Sequence, residues 1–281
     1  MEPQWPRQVA IVGLGLIGGS LGLAIRERRP DVRVVGVDRE ARALQEATRR
    51  EAVHEAQCTL QDGIAGADLV VLAAPISAIL AQLEELPLLL PDGALVTDVG
   101  STKRTICEHA QERLGQRFVG GHPLAGSERS GMEAAKADLF RGTVWVLTPQ
   151  GRAPARLTAL LADLGARVTT MTPAHHDRVV AATSHVPQLL AVALGKHLAD
   201  AGDNDRAYRS LIASGGSDWL RLARSSPSPW RDVVATNADS IRQEVEALLD
   251  ELERLTRETD RLEDAFERAN RLATAIDGAV S

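Results

Sequence analysis

The segment "QVAIVGLGLIGGSLGLAIRER", residues 8–28, constrains the fold more than any other part of the chain. An apolar run at residues 9–12 leads into Gly13-x-Gly15-x-x-Gly18, and a helical pattern follows that carries Leu21 and Ile25 on one face. Strand, tight turn and helix in this order place three glycines where a dinucleotide pyrophosphate needs them. Gly13 permits the turn, Gly15 lets backbone N–H groups approach the anion, and Gly18 lets the helix pack closely on the strand, its N-terminus facing the phosphates. A glycine-rich turn alone is also a plain strand-to-helix connection, and the context decides between the two. The next apolar run, "VRVVGVD", ends in Asp38, about 20 residues past the last glycine, where dinucleotide folds place an acid for the ribose hydroxyls. Asp38 would repel a 2'-phosphate, which selects NAD over NADP, while Arg39 beside it could pair with that phosphate or stack on adenine. NAD is the expected cofactor, with Leu16 and Ile17, at the start of the helix, joining the glycines, Asp38 and Arg39 in holding it.

Strand and helix patterns go on alternating to residue 171: "ADLVVLAAP", "GALVTDVGS", "RFVGG", "TVWVLTP" and "ARVTTM" read as strands, with helical segments between them. Such alternation predicts an open, mostly parallel sheet covered on both faces, with ligands at the carboxyl ends of the strands. Ala73-Ala74-Pro75, Asp98-Val99-Gly100-Ser101 and Gly120-Gly121-His122-Pro123 are three such ends, expected to converge on one crevice. Ala73, Ala74, Pro75 and Ser101 are therefore counted with the cofactor site. From Pro173 onward the pattern is helical only. A long apolar helix is interrupted at Pro187, shorter helices carry a Gly-Gly break, and a nearly continuous helix runs from Trp230. In that last helix Ile241, Val245, Leu248, Leu252, Leu255 and Leu262 form a stripe at coiled-coil spacing with charges opposite. The expected fold class is an α/β Rossmann-type dinucleotide-binding domain, residues 1–171, followed by an all-α dimerisation domain, residues 172–281. The long helices are expected to bury their stripes against a second copy in a homodimer, intramolecular packing being the alternative.

Composition narrows the partners. A net charge of -6 argues against a general nucleic-acid or anionic-membrane surface and leaves room for a small anionic pocket. Cys58 and Cys107, the only two cysteines, lack CxxC or Cys/His ligand spacing, which fits a reducing compartment and no zinc site, and points to the cytoplasm. No basic, then apolar, leader opens the sequence and no stretch reaches membrane-spanning length, so neither signal peptide nor anchor is expected.

His122 stands out among seven histidines. A lone histidine is usually structural, but this one sits at a strand end on the nicotinamide side of the sheet, in a loop with small neighbours. Its ordinary pKa near neutrality suits accepting a proton from an alcohol while hydride leaves the same carbon. Ser101 could hold its ring, or cap the helix from Thr102, or both. His54, His109 and His197 read as solvated. His175 and His176 precede a helix, with Asp177 able to cap or to orient an imidazole. His185 and Gln188 lie one turn apart on the apolar helix, where a satisfied buried histidine and a pocket role are equally open. No HExxH or similar metal spacing occurs.

Five segments in order, "VAIVGLGLIGGSLGLAI", "VTDVGSTK", "FVGGHPLAGSERSG", "HHDRVVAATSHVPQ" and "GGSDWLRLARSSPSPWRDV", together resemble the prephenate/arogenate dehydrogenase family over nearly the whole chain. The resemblance implies oxidation of a cyclohexadienol with NAD or NADP in tyrosine biosynthesis, and a small-molecule substrate, prephenate or arogenate. It assigns His122 as the catalytic histidine, Ser101 as the serine supporting it, and Arg221 as the arginine that binds a substrate carboxylate. Asp218 and Trp230 fall on positions that shape the pocket, with His185 and Gln188 also on the substrate side. Gln188 stands where the family often has a histidine, which leaves prephenate against arogenate open. Two rivals differ in visible ways. Another Rossmann-plus-helical dehydrogenase would place a lysine on the interdomain helix, where only Lys196 occurs, at its far end. A nonenzymatic NAD-sensing regulator would need a DNA-binding arm or a basic stripe, and neither is visible.

Overall fold

The computed structural model describes residues 5–126, 129–203 and 205–280; Ser127 and Glu128 of the histidine-bearing segment lie outside the described residues. Strands β1 (Gln8–Val12), β2 (Arg33–Val37), β3 (Glu55–Gln57), β4 (Leu69–Leu72), β5 (Leu95–Asp98), β6 (Phe118–Pro123), β7 (Val144–Thr148) and β8 (Arg167–Thr170) form one sheet in the order β3-β2-β1-β4-β5-β6-β7-β8. The first six strands follow the dinucleotide-fold order, with the switch point between β1 and β4. All pairings are parallel except β6 with β7, which is antiparallel. Helices α1 (Leu16–Arg28), α2 (Ala41–Arg49), α3 (Leu60–Ile64), α4 (Ile76–Leu89), α5 (Arg104–Leu114) and α6 (Ala155–Asp163) connect them. The short β3 and α3 carry too few periodic residues to be seen in sequence.

A strand buried on both faces is a continuous apolar run, and β1 shows why. Val9 and Ile11 face one core with Leu21 and Ile25 of α1 and Leu157 and Leu160 of α6. Ala10 and Val12 face the other, with Ile79 and Leu83 of α4 and Ile106 and Ala110 of α5. Ala181, Val186, Val233 and Ile241, all from beyond residue 172, complete that second core.

The helical part comprises α7 (Pro173–Val180), a π-helical turn (Ala181–His185), α8 (Val186–Gly202), α9 (Ala207–Ser210), α10 (Ser214–Leu222), α11 (Pro227–Thr236), α12 (Ala238–Arg257) and α13 (Leu262–Val280). Pro187 has no N–H for the carbonyl four residues back, and the helix widens in the turn just before it. Gly215 and Gly216, expected to break a helix, lie inside the first turn of α10, and the run from Trp230 is divided at Asn237 and again around Glu258–Arg261. The expected stripe is split as well. Ile241 is buried in the second core and Val245 packs against it, whereas Leu248 and Leu252 are 41% and 56% exposed in the single chain. No described helix is long and apolar enough to cross a membrane.

Two carboxylates fasten the helical part to the sheet. Neither α4 nor α5 has a capping side chain of its own or an acidic residue in its first turn, so each leaves N–H groups without partners. Asp232 of α11 accepts from the Ser77 N–H and hydroxyl of α4, both at 2.8 Å. Asp177 of α7 accepts from the N–H groups of Lys103 and Arg104 at the head of α5, at 2.7 and 2.9 Å. The cap of α5 is therefore Asp177 from 74 residues away, and Ser101, expected to cap a helix from Thr102, does not perform that task.

Candidate active site

The glycine turn has the geometry that a dinucleotide requires. Gly13 adopts φ 103°, and a Cβ there would lie 2.6 Å from the Ala73 carbonyl oxygen, so the end of β4 presses directly on the turn. A Cβ at Gly18 would overlap the Gly13 carbonyl, while one at Gly15 would meet nothing within 4 Å. The space over Gly15 is open, and α1 begins there with neither a side-chain cap nor an acid in its first turn. Asp38, just past β2, reaches across: its carboxylate accepts from the Leu14 N–H at 2.7 Å and the Glu40 N–H at 2.9 Å. Leu16 and Ile17 are the first, partly exposed residues of α1, and Arg39 is exposed. Ala74 follows β4 and Pro75 stands immediately before the first residue of α4. Uncapped N–H groups, an unobstructed glycine and an acid at the end of β2 fit a pyrophosphate and a ribose diol.

His122 lies within β6, not in a loop beyond it. It stands opposite Val146 in the antiparallel ladder with β7. The glycines before it are dictated by crowding: a Cβ at Gly120 would lie 2.7 Å from Cys107 Sγ, and one at Gly121 2.6 Å from the Asp98 carbonyl oxygen. Asp98 and Lys103 form a fully buried ion pair that clamps this stretch. The Asp98 carboxylate accepts from the N–H groups of Gly100, at 2.8 Å, and Gly121, at 3.0 Å, and Lys103 Nζ donates to the Gly121 carbonyl at 2.7 Å. The backbone next to His122 is thus held from both sides.

The ring of His122 is bonded to His176, not to Ser101. His122 Nδ1 and His176 Nε2 are 2.9 Å apart, and His176 Nδ1 is 2.7 Å from Asp177 Oδ1. Burial, with His176, Lys103 and His185 nearby, pushes the His122 pKa well below its usual value, so the imidazole is neutral. Ser101 is partly exposed, just past the end of β5.

The helical part contributes His185, Trp230 and Asn237. His185 packs edge-on against Trp230 at 6.0 Å, and burial lowers its pKa to about 4. Asn237 Nδ2 donates to the Asp177 carbonyl at 2.8 Å, which fixes the amide's orientation, and sits 3.3 Å from His185 Nδ1. The ring nitrogen there accepts, so His185 carries its proton on Nε2. Gln188 corrects an expectation. It is buried, and its amide nitrogen donates to the Leu222 carbonyl at 2.8 Å and to Ser225 Oγ at 2.5 Å, occupying both N–H groups in a tie from α8 to the end of α10. Asp218 and Arg221 are exposed on α10. The structure therefore brings His122, His185 and Trp230 into one region and leaves Arg221 and Asp218 at the surface of the single chain. Asp98, Lys103 and Asn237 were not visible as site residues in sequence. Their only signals were polar letters at a strand end and at a helix break.

The arrangement sets a neutral imidazole on the same sheet as the nucleotide turn, with His185 and Trp230 of the helical part on its side. The family model for the prephenate dehydrogenase nucleotide-binding domain matches residues 21–170, and the model for its dimerization domain matches residues 172–272. Prephenate dehydrogenase of Bacillus subtilis is 35% identical over 92% of this chain and 70% of its own length. A crystal structure of prephenate dehydrogenase from A. aeolicus, in complex with hydroxyphenyl propionate and NAD+, has a TM-score of 0.89 at 29% identity and covers 96% of this chain and 98% of its own. Arogenate dehydrogenase of Synechocystis gives a TM-score of 0.78 at 32% identity with coverage of 96% and 98%.

Proposed function

The chain belongs to the prephenate dehydrogenase family of oxidoreductases, and we propose that it catalyses the NAD-dependent oxidative decarboxylation of prephenate to 4-hydroxyphenylpyruvate. The observation that carries this reading is His122, half-buried and held neutral on β6, two strands along the sheet from β4, whose end meets the glycine turn. Bound at Gly13, Gly15, Gly18 and Asp38, NAD supplies the hydride acceptor. His122 takes the proton of the ring hydroxyl as that carbon becomes a carbonyl. Because the new ketone is conjugated with the carbon bearing the ring carboxylate, carbon dioxide departs, its bonding electrons pass to the ring oxygen, and the ring becomes aromatic. His122 then returns its proton to that oxygen, which leaves the base ready for another turnover. Arg221 supplies a planar guanidinium able to hold a carboxylate with two hydrogen bonds. Asp218 and Trp230 shape the pocket, and Ser101 lines the nicotinamide side.

The subunits pair through α12 and α13, whose Leu248, Leu252, Phe266, Leu272 and Ile276 are exposed in the single chain. Arogenate, which carries an ammonium where prephenate carries a keto group, is the second substrate to test. The purified protein, given NAD and either compound, is followed at the absorbance of reduced nicotinamide. Turnover with prephenate equal to or above that with arogenate is expected; no turnover with either overturns the reading.

A further inference from the structure

Two polar groups of the helical part stand behind His122, and both are buried: His176 is 0% and Asp177 1% exposed. They form a chain from a helix end to the base. The N–H groups of Lys103 and Arg104 point at Asp177, Asp177 Oδ1 meets His176 Nδ1, and His176 Nε2 meets His122 Nδ1. Asp177 cannot rotate away without leaving the head of α5 uncapped, and its backbone carbonyl is held separately by Asn237.

The direction of hydrogen bonding along this chain follows from its first member. A carboxylate only accepts, so the proton between Asp177 and His176 belongs to His176 Nδ1. With that nitrogen carrying the ring's proton and Nε2 serving as the acceptor, the proton between the two rings belongs to His122 Nδ1. His122 is then left with its lone pair on Nε2, the nitrogen away from His176. We propose that His176 and Asp177 are positioning residues that fix the tautomer of His122, making Nε2 the proton acceptor. The proposal rests on the reading of His122 as the base but concerns a property of the resting enzyme that can be measured without turnover.

Substitutions separate positioning from simple packing. With its amide nitrogen at the Oδ1 position, Asp177→Asn keeps an oxygen for the Arg104 N–H, gives up the Lys103 N–H, and donates to His176 Nδ1. That moves the His176 proton to Nε2, and with it the His122 proton to Nε2, which masks the base. His176→Gln retains an acceptor for His122 Nδ1–H, and His176→Leu removes it at similar size. Nitrogen-15 NMR of the histidine rings in the full-length, unliganded protein should show His122 as the Nδ1–H form in wild type and as the Nε2–H form in Asp177→Asn. Turnover number should fall about 10²-fold or more in Asp177→Asn and His176→Leu, recover most of the way in His176→Gln, and leave the KM for NAD unchanged. An Nε2–H form in the wild type, or equal turnover in His176→Leu and His176→Gln, would overturn the proposal. Should Asp177→Asn fail to fold, the wild-type spectrum and the His176 pair still decide it. A His122→Asn variant with full turnover would instead refute the base itself, whatever the tautomer.

Discussion

The two halves of the site differ in how complete they are within one chain. On the sheet side, the glycine turn, Asp38 and the backbone beside His122 are held by buried backbone and by the Asp98–Lys103 pair. On the helical side, Arg221 and Asp218 lie exposed on α10, near Trp219 at 47% exposure and Leu211 at 80%. The half proposed to perform chemistry is ordered by buried contacts, and the half proposed to recognise substrate stands exposed in the single chain. Proton transfer demands placement within a fraction of an ångström, whereas a charge that captures a carboxylate can be set by assembly.

The largest test of this contrast is His122→Asn, which should lower turnover about 10²- to 10⁴-fold while NAD binding, followed by nucleotide fluorescence or calorimetry, stays intact. If the helical half carried the chemistry, turnover would survive. Next in size is acid sensitivity at the seam. The unfolded chain takes up protons on histidine near pH 6.5, while His185 in the folded protein resists them down to about 4. Stability from this group is therefore complete above about pH 6.5 and is lost as pH falls from there toward the folded value, by up to about 3 kcal/mol. Urea midpoints should drop between neutral and acidic pH, and less steeply in His185→Gln. Arg221→Ala should raise the KM for prephenate about 10- to 100-fold and leave the KM for NAD alone, as expected for loss of a charge-assisted pair on the recognition side only. The smallest effect is expected from Asp232→Ala, which uncaps α4 and should cost about 1 kcal/mol in urea unfolding with the KM values unchanged.

What was legible in the sequence follows the range of each interaction. The glycine turn and Asp38 are local signals, because φ at Gly13 and the end of β2 are set within a few residues. The strand is legible as far as Gly121, but His122-Pro123 reads as the loop beyond it, and only the antiparallel pairing with β7 carries the strand on through them. The partner of His122 was misjudged for a similar reason. Ser101 is the nearer polar residue in the neighbouring strand order, but His176 reaches it across 54 positions of sequence. Asp177, by its place beside His176, can cap or orient an imidazole, and it does both, although the helix it caps belongs to the other domain. The family resemblance puts Gln188 on the substrate side, whereas the hydrogen bonds of its amide nitrogen run to α10. The apolar stripe divides where the second core ends, at Val245, and no periodicity in the sequence marks that limit.

The borrowed caps on α4 and α5 bear on how such a protein can be recombined. By its letters the chain is modular, a nucleotide binder joined to a helical attachment, and it invites exchange of one attachment for another. Yet Asp177 and Asp232 complete helices that they do not belong to. A grafted helical module lacking acids at those two places would leave the recipient sheet with two open helix heads beside its catalytic strands. The unit that can be inherited or transplanted is therefore the pair of domains with its seam, not either domain alone.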